Sequence, residues 1–286
     1  MKKLTAIITG ASSGFGLLTA IELAKHGFTV IATMRDLTNK DTIIKLCKQG
    51  DVENQLHFLQ LDVTSETSIE QFSRELTHFS SIDILINNAG VAYGGFSEEV
   101  SMKEYKEQFE TNFFGAIAVT QAVLPYMRKQ RKGKIINVSS ISGKVGFPGL
   151  SPYVASKHAL EGWSECLRLE VKPFGIDVGI IEPGSFQTNI WTRGKRIAEK
   201  SQLSSSAYFS YMQALEKELE KGQANYGDPA QIARLIAHMC SKKEWKKLRY
   251  PIGKGVKLSL FLKMLIPWSI WEKIFYKKLA VNKKRM

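Results

Sequence analysis

Short apolar runs alternate with amphipathic stretches from residue 4 to about residue 182. Residues 4–9 form a β-prone run, a glycine-rich segment follows at 10–16, and Leu17, Ile21, Leu23 and Ala24 then recur at helical spacing. A second run occupies residues 29–34. Further runs rich in Ile, Leu and Val lie at 57–62, 82–87, 134–140 and 176–182, separated by helical stretches at 65–78, 101–130 and 152–172. Strands alternating with helices predict an α/β protein whose parallel sheet is covered on both faces. Such sheets bind ligands beyond the carboxyl ends of their strands. The polar residues fall there: Asp62, Asn87-Asn88-Ala89-Gly90, Ser139-Ser140 and Pro183-Gly184.

The first turn of this pattern reads Gly10-Ala11-Ser12-Ser13-Gly14-Phe15-Gly16 between strand and helix. Glycines let the backbone turn sharply and approach a ligand closely, and free N–H groups at a helix start attract a pyrophosphate. The G-x-x-x-G-x-G spacing is looser than the usual G-x-G-x-x-G fingerprint, but the next strand arrives on schedule for a dinucleotide-binding βαβ unit. That strand ends Ala32-Thr33-Met34-Arg35-Asp36. A carboxylate at its end would select the ribose hydroxyls of NAD, and a guanidinium the 2′-phosphate of NADP. Met34 stands where the carboxylate is expected and Arg35 follows, which predicts NADP(H) as the preferred cofactor. Asp36 keeps NAD(H) open as a second one.

Tyr153 and Lys157 lie four residues apart, with Ser140 thirteen residues before the tyrosine. On a helix, positions i and i+4 share a face with about 5–6 Å between Cβ atoms, so phenol and ammonium can act on one substrate. A tyrosine near pKa 10 is a poor acid or base at neutral pH, and a fixed positive charge beside it favours the phenolate. Tyr153 is therefore a candidate general acid or base.

With these motifs in order, the chain resembles the short-chain dehydrogenase/reductases. The matching residues are 9–16, Asp62-Val63, residues 87–90, Asn112, Ser140, Tyr153, Lys157, and Pro183-Gly184 with Thr188, which span about the first 190 positions. The resemblance implies a Rossmann-type doubly wound sheet of about seven strands. It implies that Tyr153 exchanges a proton with the substrate oxygen, and that Lys157 binds the nicotinamide ribose and depresses the tyrosine's pKa. By the same resemblance Ser140 bonds the substrate oxygen, and Asn112 links Lys157 through water to a relay. Asp62 and Val63 would flank the adenine, Asn88, Ala89 and Gly90 would line the cofactor floor, and Thr188, after Pro183-Gly184, would meet the carboxamide.

At 286 residues and 44% apolar, the chain can bury the core of one α/β domain, expected over residues 1–253. Cys47, Cys166 and Cys240 are few, odd in number and widely spaced, which predicts a reducing, cytoplasmic setting, no disulfide framework and no metal site. The Met1-Lys2-Lys3 start resembles a signal peptide, but its apolar run is cut at Thr9-Gly10 and is expected to be the first strand. Residues 254–286 carry nine Lys or Arg against the single acid Glu272, hence eight of the thirteen net positive charges. The body is then only mildly basic, which argues against nucleic acid as a partner.

Within that tail, Leu258, Phe261, Leu262 and Leu265 share a helical stripe. Pro267 can open a second helix with Trp268, Trp271, Phe275 and Leu279 on one face and Lys273, Lys277 and Lys284 roughly opposite. Lys263 and Pro267 interrupt an apolar stretch already too short to span a bilayer. Two readings stand: the tail packs on the substrate cleft or a second subunit, or it lies peripherally in a membrane interface. The resemblance also implies a homo-oligomer, dimer or tetramer, paired through the helices at 101–130 and 152–172.

Between 188 and 227 the alternation stops and Trp191, Tyr208, Phe209, Tyr211 and Met212 appear, where the family carries a substrate lid. With Tyr93, Phe96, Val145, Phe147, Pro148, Leu150 and Phe186 nearby in the pattern, a bulky hydrophobic alcohol or carbonyl is the expected substrate. The stretch at 32–36 and the long C-terminal half bring the hydroxysteroid and retinol dehydrogenase-like branch to mind. Reduction of a 3-oxoacyl group on an acyl carrier protein is a second enzymatic reading, with the basic tail docking the acidic carrier. A nucleotide-sensing scaffold on the same fold is the non-enzymatic one, and retention of both Tyr153 and Lys157 weighs against it.

Overall fold

The computed structural model describes residues 3–48, 52–188, 190 and 194–278. Seven parallel strands form one sheet: β1 (Thr5–Ile8), β2 (Thr29–Met34), β3 (Leu56–Gln60), β4 (Ile84–Asn87), β6 (Gly133–Val138), β7 (Ile176–Pro183) and β9 (Arg249–Ile252). Their order across the sheet is β3-β2-β1-β4-β6-β7-β9. Between β4 and β6 in the chain comes the short β5 (Ala92–Gly94), which pairs in parallel with β8 (Lys195–Ile197) as a separate ribbon.

Period-two alternation in buried strands divides the core into two layers. In β1, Ala6 and Ile8 point into one layer and Ile7 into the other. The first layer is closed by α1 (Gly14–Lys25), by Ile43 and Cys47 of α2 (Lys40–Lys48) and by α8 (Ala230–Ser241), with Trp245 wholly buried beside them. The second is closed by α3 (Glu66–Glu75), α5 (Gly115–Gln130) and α6 (Ser151–Val171). Each large aliphatic side chain taken fully out of water contributes about 1.5–3 kcal/mol. The strand order runs outward from β1 in both directions, so a crevice opens between the carboxyl ends of β1 and β4.

The Rossmann-type reading therefore holds, with local differences. The third strand stops at Gln60, and Asp62 turns its carboxylate onto Thr64, accepting from the backbone N–H at 3.0 Å and the hydroxyl at 2.8 Å. The stretch at 101–130 is two helices. The first, α4 (Met102–Phe109), starts at a capping box in which Ser101 and Glu104 satisfy each other's backbone N–H. A π-helical turn, Glu110–Phe114, separates it from α5. The seventh strand, β9, had no apolar run to announce it, because Arg249-Tyr250-Pro251-Ile252 sits at the sheet edge with one neighbour.

The lid stretch, where a charged helix is expected over residues 215–221, and the tail are both helical. Residues of the lid stretch form α7 (Phe209–Gly222), and Phe96 stacks on Tyr208 with ring centres 4.5 Å apart. The tail forms α9 (Val256–Leu265) and α10 (Trp268–Lys278), broken at Pro267, whose carbonyl accepts from Ile270 and Trp271. Leu279 and Lys284 of the expected second helix, and Trp191 of the lid, lie outside the described residues. Among the described residues, no helix is long and apolar enough to cross a membrane.

Candidate active site

A cleft of about 400 Å³ opens at the sheet's switch point. Its floor is the turn from β1 into α1. Gly10 adopts a left-handed φ of +66°, and a Cβ there would meet the Ala89 Cα at 2.8 Å, so only glycine lets the two strand ends approach. A Cβ on Gly16 would meet the Gly10 carbonyl oxygen at 2.4 Å and the Asn88 amide nitrogen at 2.5 Å. Gly16 thus shapes the turn from behind, while Gly10, Ser12, Ser13, Gly14 and Phe15 line the cleft. Ser13 stands at the N-cap of α1 without a side-chain cap bond, so the helix start keeps donors for an anion.

One end of the cleft is lined by Met34, Arg35 and Asn39 from the end of β2, with Leu61, Asp62, Val63 and Thr64 after β3. The Arg35 side chain forms no ion pair among the described residues. Asp36 instead caps the following turn: its carboxylate accepts from the Thr38 N–H at 2.9 Å, which holds its pKa below the ordinary carboxylate value. The local fold thus pulls the acid away from the neighbouring arginine.

Asn88 ties the two sides of the switch point together. Its amide donates to the carbonyls of Thr9 at 2.8 Å and Gly10 at 3.1 Å, and the Thr9 hydroxyl accepts from the Asn88 and Ala89 N–H groups. Behind Gly90 stands Asn112, 2% exposed, on the π-helical turn. Its side chain holds Val91 from both sides, accepting from the N–H at 2.9 Å and donating to the carbonyl at 3.0 Å, and it donates to Ser156 Oγ at 3.3 Å. An extra residue in one helical turn re-aims a side chain, a common use of π-bulges at functional sites. Asn112 supports the wall and does not itself line the cleft.

Ser140, Tyr153 and Lys157 converge where β6 ends and α6 begins, and all three line the cleft. Pro152, in the first turn of α6, fits the helix start, and Tyr153 and Lys157 fall one turn apart on its buried face. Ser140 hydrogen-bonds Tyr153, and the Lys157 ammonium lies 5.8 Å from the tyrosine ring centre. Lys157 Nζ donates to the Val138 carbonyl at 2.8 Å. Burial pushes the Tyr153 phenol up to about 12, with the Ser140 hydrogen bond acting against it. Burial lowers Lys157 to about 8, and Glu161 one turn further along α6 opposes that fall. Ser142, just past the end of β6, is buried outside the lining, and its N–H donates to Ser140 Oγ at 3.1 Å.

Pro183 at the end of β7, with Gly184, Phe186 and Thr188 after it, also lines the cleft, and Phe186 packs edge-on against Phe15 with ring centres 5.7 Å apart. The two other aromatic candidates sit elsewhere. Tyr93, in β5, is 6% exposed with its hydroxyl held by Glu107 and Arg196, and Arg196 rather than Tyr93 reaches the lining. Phe147 packs against Phe275 of α10, ring centres 5.9 Å apart. The pattern had also passed over a buried acidic pair behind the site: Glu161 on α6 and Glu182 on β7 share Arg249, at 3.0 and 3.4 Å from its Nε. An acid inside an otherwise apolar strand, as Glu182 is, was the available signal.

A family model described as short chain dehydrogenase matches residues 4–198. The chain belongs to the short-chain dehydrogenase family. Within it, the chain is 50% identical over 279 residues to an uncharacterized oxidoreductase, YusZ, of Bacillus subtilis, covering 98% of this chain and 99% of that one. It is 39% identical over 238 residues to a 3-ketodihydrosphingosine reductase of Bacteroides thetaiotaomicron, covering 83% of each. Among solved structures, a single-residue variant of actinorhodin polyketide ketoreductase with NADPH superposes with a TM-score of 0.74 at 27% identity, over 89% of this chain and 97% of that one. This short-chain dehydrogenase is thus an oxidoreductase, and its cleft suits the family's nicotinamide dinucleotide: an uncapped helix start follows a turn in which Gly10 and Gly16 leave no room for a Cβ.

Proposed function

We propose that this short-chain dehydrogenase reduces a hydrophobic ketone or aldehyde, with NADP(H) preferred over NAD(H). The observation that carries the reading is the convergence of Ser140, Tyr153 and Lys157 beside the glycine turn in one cleft. A bound nicotinamide supplies the hydride. The chain's part is to hold the carbonyl and provide its proton. Ser140 and Tyr153 are donors already placed for the charge that grows on the substrate oxygen. A phenol pushed up to about 12 stays protonated at neutral pH, which suits a proton donor in the reductive direction. Lys157, near 8, remains charged at neutral pH and favours the phenolate left after the proton has gone.

The cofactor preference rests on Arg35, which lines the adenosine end with no acidic partner among the described residues, and on Asp36, engaged with Thr38. Support for a long apolar substrate comes from Phe186 in the cleft wall and from the similarity to a reductase of a ketosphingoid base. A screen of NADPH oxidation against aromatic aldehydes, α-diketones, steroids, 3-oxoacyl thioesters and long-chain 3-ketones tests the reading. Tyr153→Phe is expected to bind NADPH within about twofold of wild type and to lose at least about 100-fold in turnover on any active substrate. Wild-type turnover in that variant would sink the acid/base assignment.

A further inference from the structure

The tail helices present their apolar residues the wrong way round for a packed helix. On α9 the inward positions are Val256, Leu260 and Lys263, whereas the Leu258, Phe261, Leu262 and Leu265 stripe faces solvent. Leu258, Phe261 and Leu265 are 61%, 57% and 63% exposed. Of sixteen large apolar side chains exposed among the described residues, nine lie between Leu258 and Tyr276, so the patch is concentrated rather than scattered. On α10, Trp271 and Phe275 turn inward, the latter onto Phe147, while Trp268, Ile270 and Ile274 stay open.

The surroundings of this patch are basic. Lys254, Lys257, Lys273 and Lys277 are exposed around it, and Glu272 is the single acid in the tail. A groove of about 1180 Å³ borders α9 and adds Lys242, Lys246 and Lys247 to the rim. Lys263 folds back over the Trp268 ring, 4.0 Å from its centre, and links the two helices. Two copies meeting through this face would bring together two tails of eight net positive charges each. An anionic lipid surface instead satisfies the charges and covers the apolar stripe together.

We propose that α9 and α10 form a docking surface for an anionic phospholipid bilayer, with the outward face of α9 entering the headgroup layer. The inner face of α10 is held by Phe147 of the loop that precedes α6, which leaves the outward face of α9 free for the headgroups. The docking does not depend on the reductase reading above.

The test uses full-length protein co-sedimented with phosphatidylcholine vesicles, with or without phosphatidylglycerol, beside a variant combining Leu258→Ser, Phe261→Ser and Leu265→Ser. Wild type is expected to partition onto the anionic vesicles. The variant should partition at least about tenfold less, and salt raised to about 1 M, where the Debye length is about 3 Å, should weaken wild-type binding. Equal partitioning of wild type and variant overturns the proposal. So does a failure to pellet with anionic vesicles, whether the protein stays monomeric or forms a dimer that the triple substitution dissolves. Turnover of a water-soluble aldehyde without vesicles should be the same in both proteins, so loss of lipid binding is read apart from loss of reductase activity.

Discussion

Glu182→Gln isolates the buried acid behind the active site. Glu182 lies in β7, 1% exposed, and its Oε1 has no hydrogen-bond partner among the described residues although Arg249 Nε stands 3.4 Å away. Desolvation, and then the charge of Glu161, raise its pKa from 4.5 to about 7 against the pull of Arg249 and Lys144. The folded chain therefore keeps a proton that the unfolded chain releases from about pH 4.5 upward. Stability falls as pH rises through this window and levels off above pH 7. A shift of about 2.5 units corresponds to about 3 kcal/mol, since each unit is worth about 1.4 kcal/mol.

Glutamine keeps the shape and cannot ionise. The stability difference between Glu182→Gln and wild type should move in the variant's favour by about 2.5 kcal/mol between pH 5 and pH 8, the remainder being lost below pH 5. For a chain of this size that is several degrees in Tm. Any fixed cost of losing the contact with Arg249 cancels in this comparison, because it is present at both pH values. Urea or thermal unfolding of both proteins across the range gives the measurement. Parallel profiles would refute the assignment and place the proton elsewhere in the Glu161, Glu182 and Arg249 cluster.

Three other substitutions probe the cleft. Arg35→Ala should weaken NADPH binding about tenfold, the loss of one charge-assisted contact, and leave NADH within about twofold; equal effects in titration calorimetry would mean that Arg35 does not read the 2′-phosphate. Gly16→Ala drives a Cβ to 2.4 Å from the Gly10 carbonyl oxygen. A stability loss of about 1–3 kcal/mol and at least a tenfold loss of dinucleotide affinity are expected, and an unchanged melting curve would contradict the packing. Glu161→Gln should move the alkaline limb of the pH–rate profile downward from about pH 8, where Lys157 loses its proton. Charges about 6 Å apart interact by roughly 2.8 kcal/mol at an effective dielectric of 20, so about two units is the ceiling, and Arg249 and Lys144 beside Glu161 reduce it to about one; an unmoved limb would show that Glu161 does not support Lys157.

Much of the cleft was legible because its chemistry coincides with local signals. The glycine turn, Asp62, Asn88, Ser140 and Pro183-Gly184 each stand just past an apolar run, so the strand pattern alone puts them at one sheet edge. Tyr153 and Lys157 needed only helical spacing. Long-range packing accounts for what was not visible. Arg196 reaches the lining because β8 pairs with β5, a contact across about a hundred residues that neither three-residue strand announces. The same pairing buries Tyr93, which had the composition of a substrate contact and serves instead to hold Glu107 and Arg196.

Asn112 shows how a residue can be found by motif and still be misplaced by pattern. A continuous helix over 101–130 fixes a single phase from end to end, whereas the π-helical turn at Glu110–Phe114 inserts an extra residue and shifts that phase between α4 and α5. The shift lets Gln108 bond the backbone at Val91 and Tyr93, while Asn112 grips Val91 and reaches Ser156 of α6. One bulge thereby locks the segment after Gly90 to the helix that carries Tyr153 and Lys157. Periodicity does not reveal it, because Phe109, Phe113 and Phe114 crowd the bulge as one aromatic cluster and blur the phase on either side. The tail reverses the problem: its stripe was correctly read as one face of a helix, but which face meets water depends on long-range packing, in which Phe275, in contact with Trp271, turns onto Phe147.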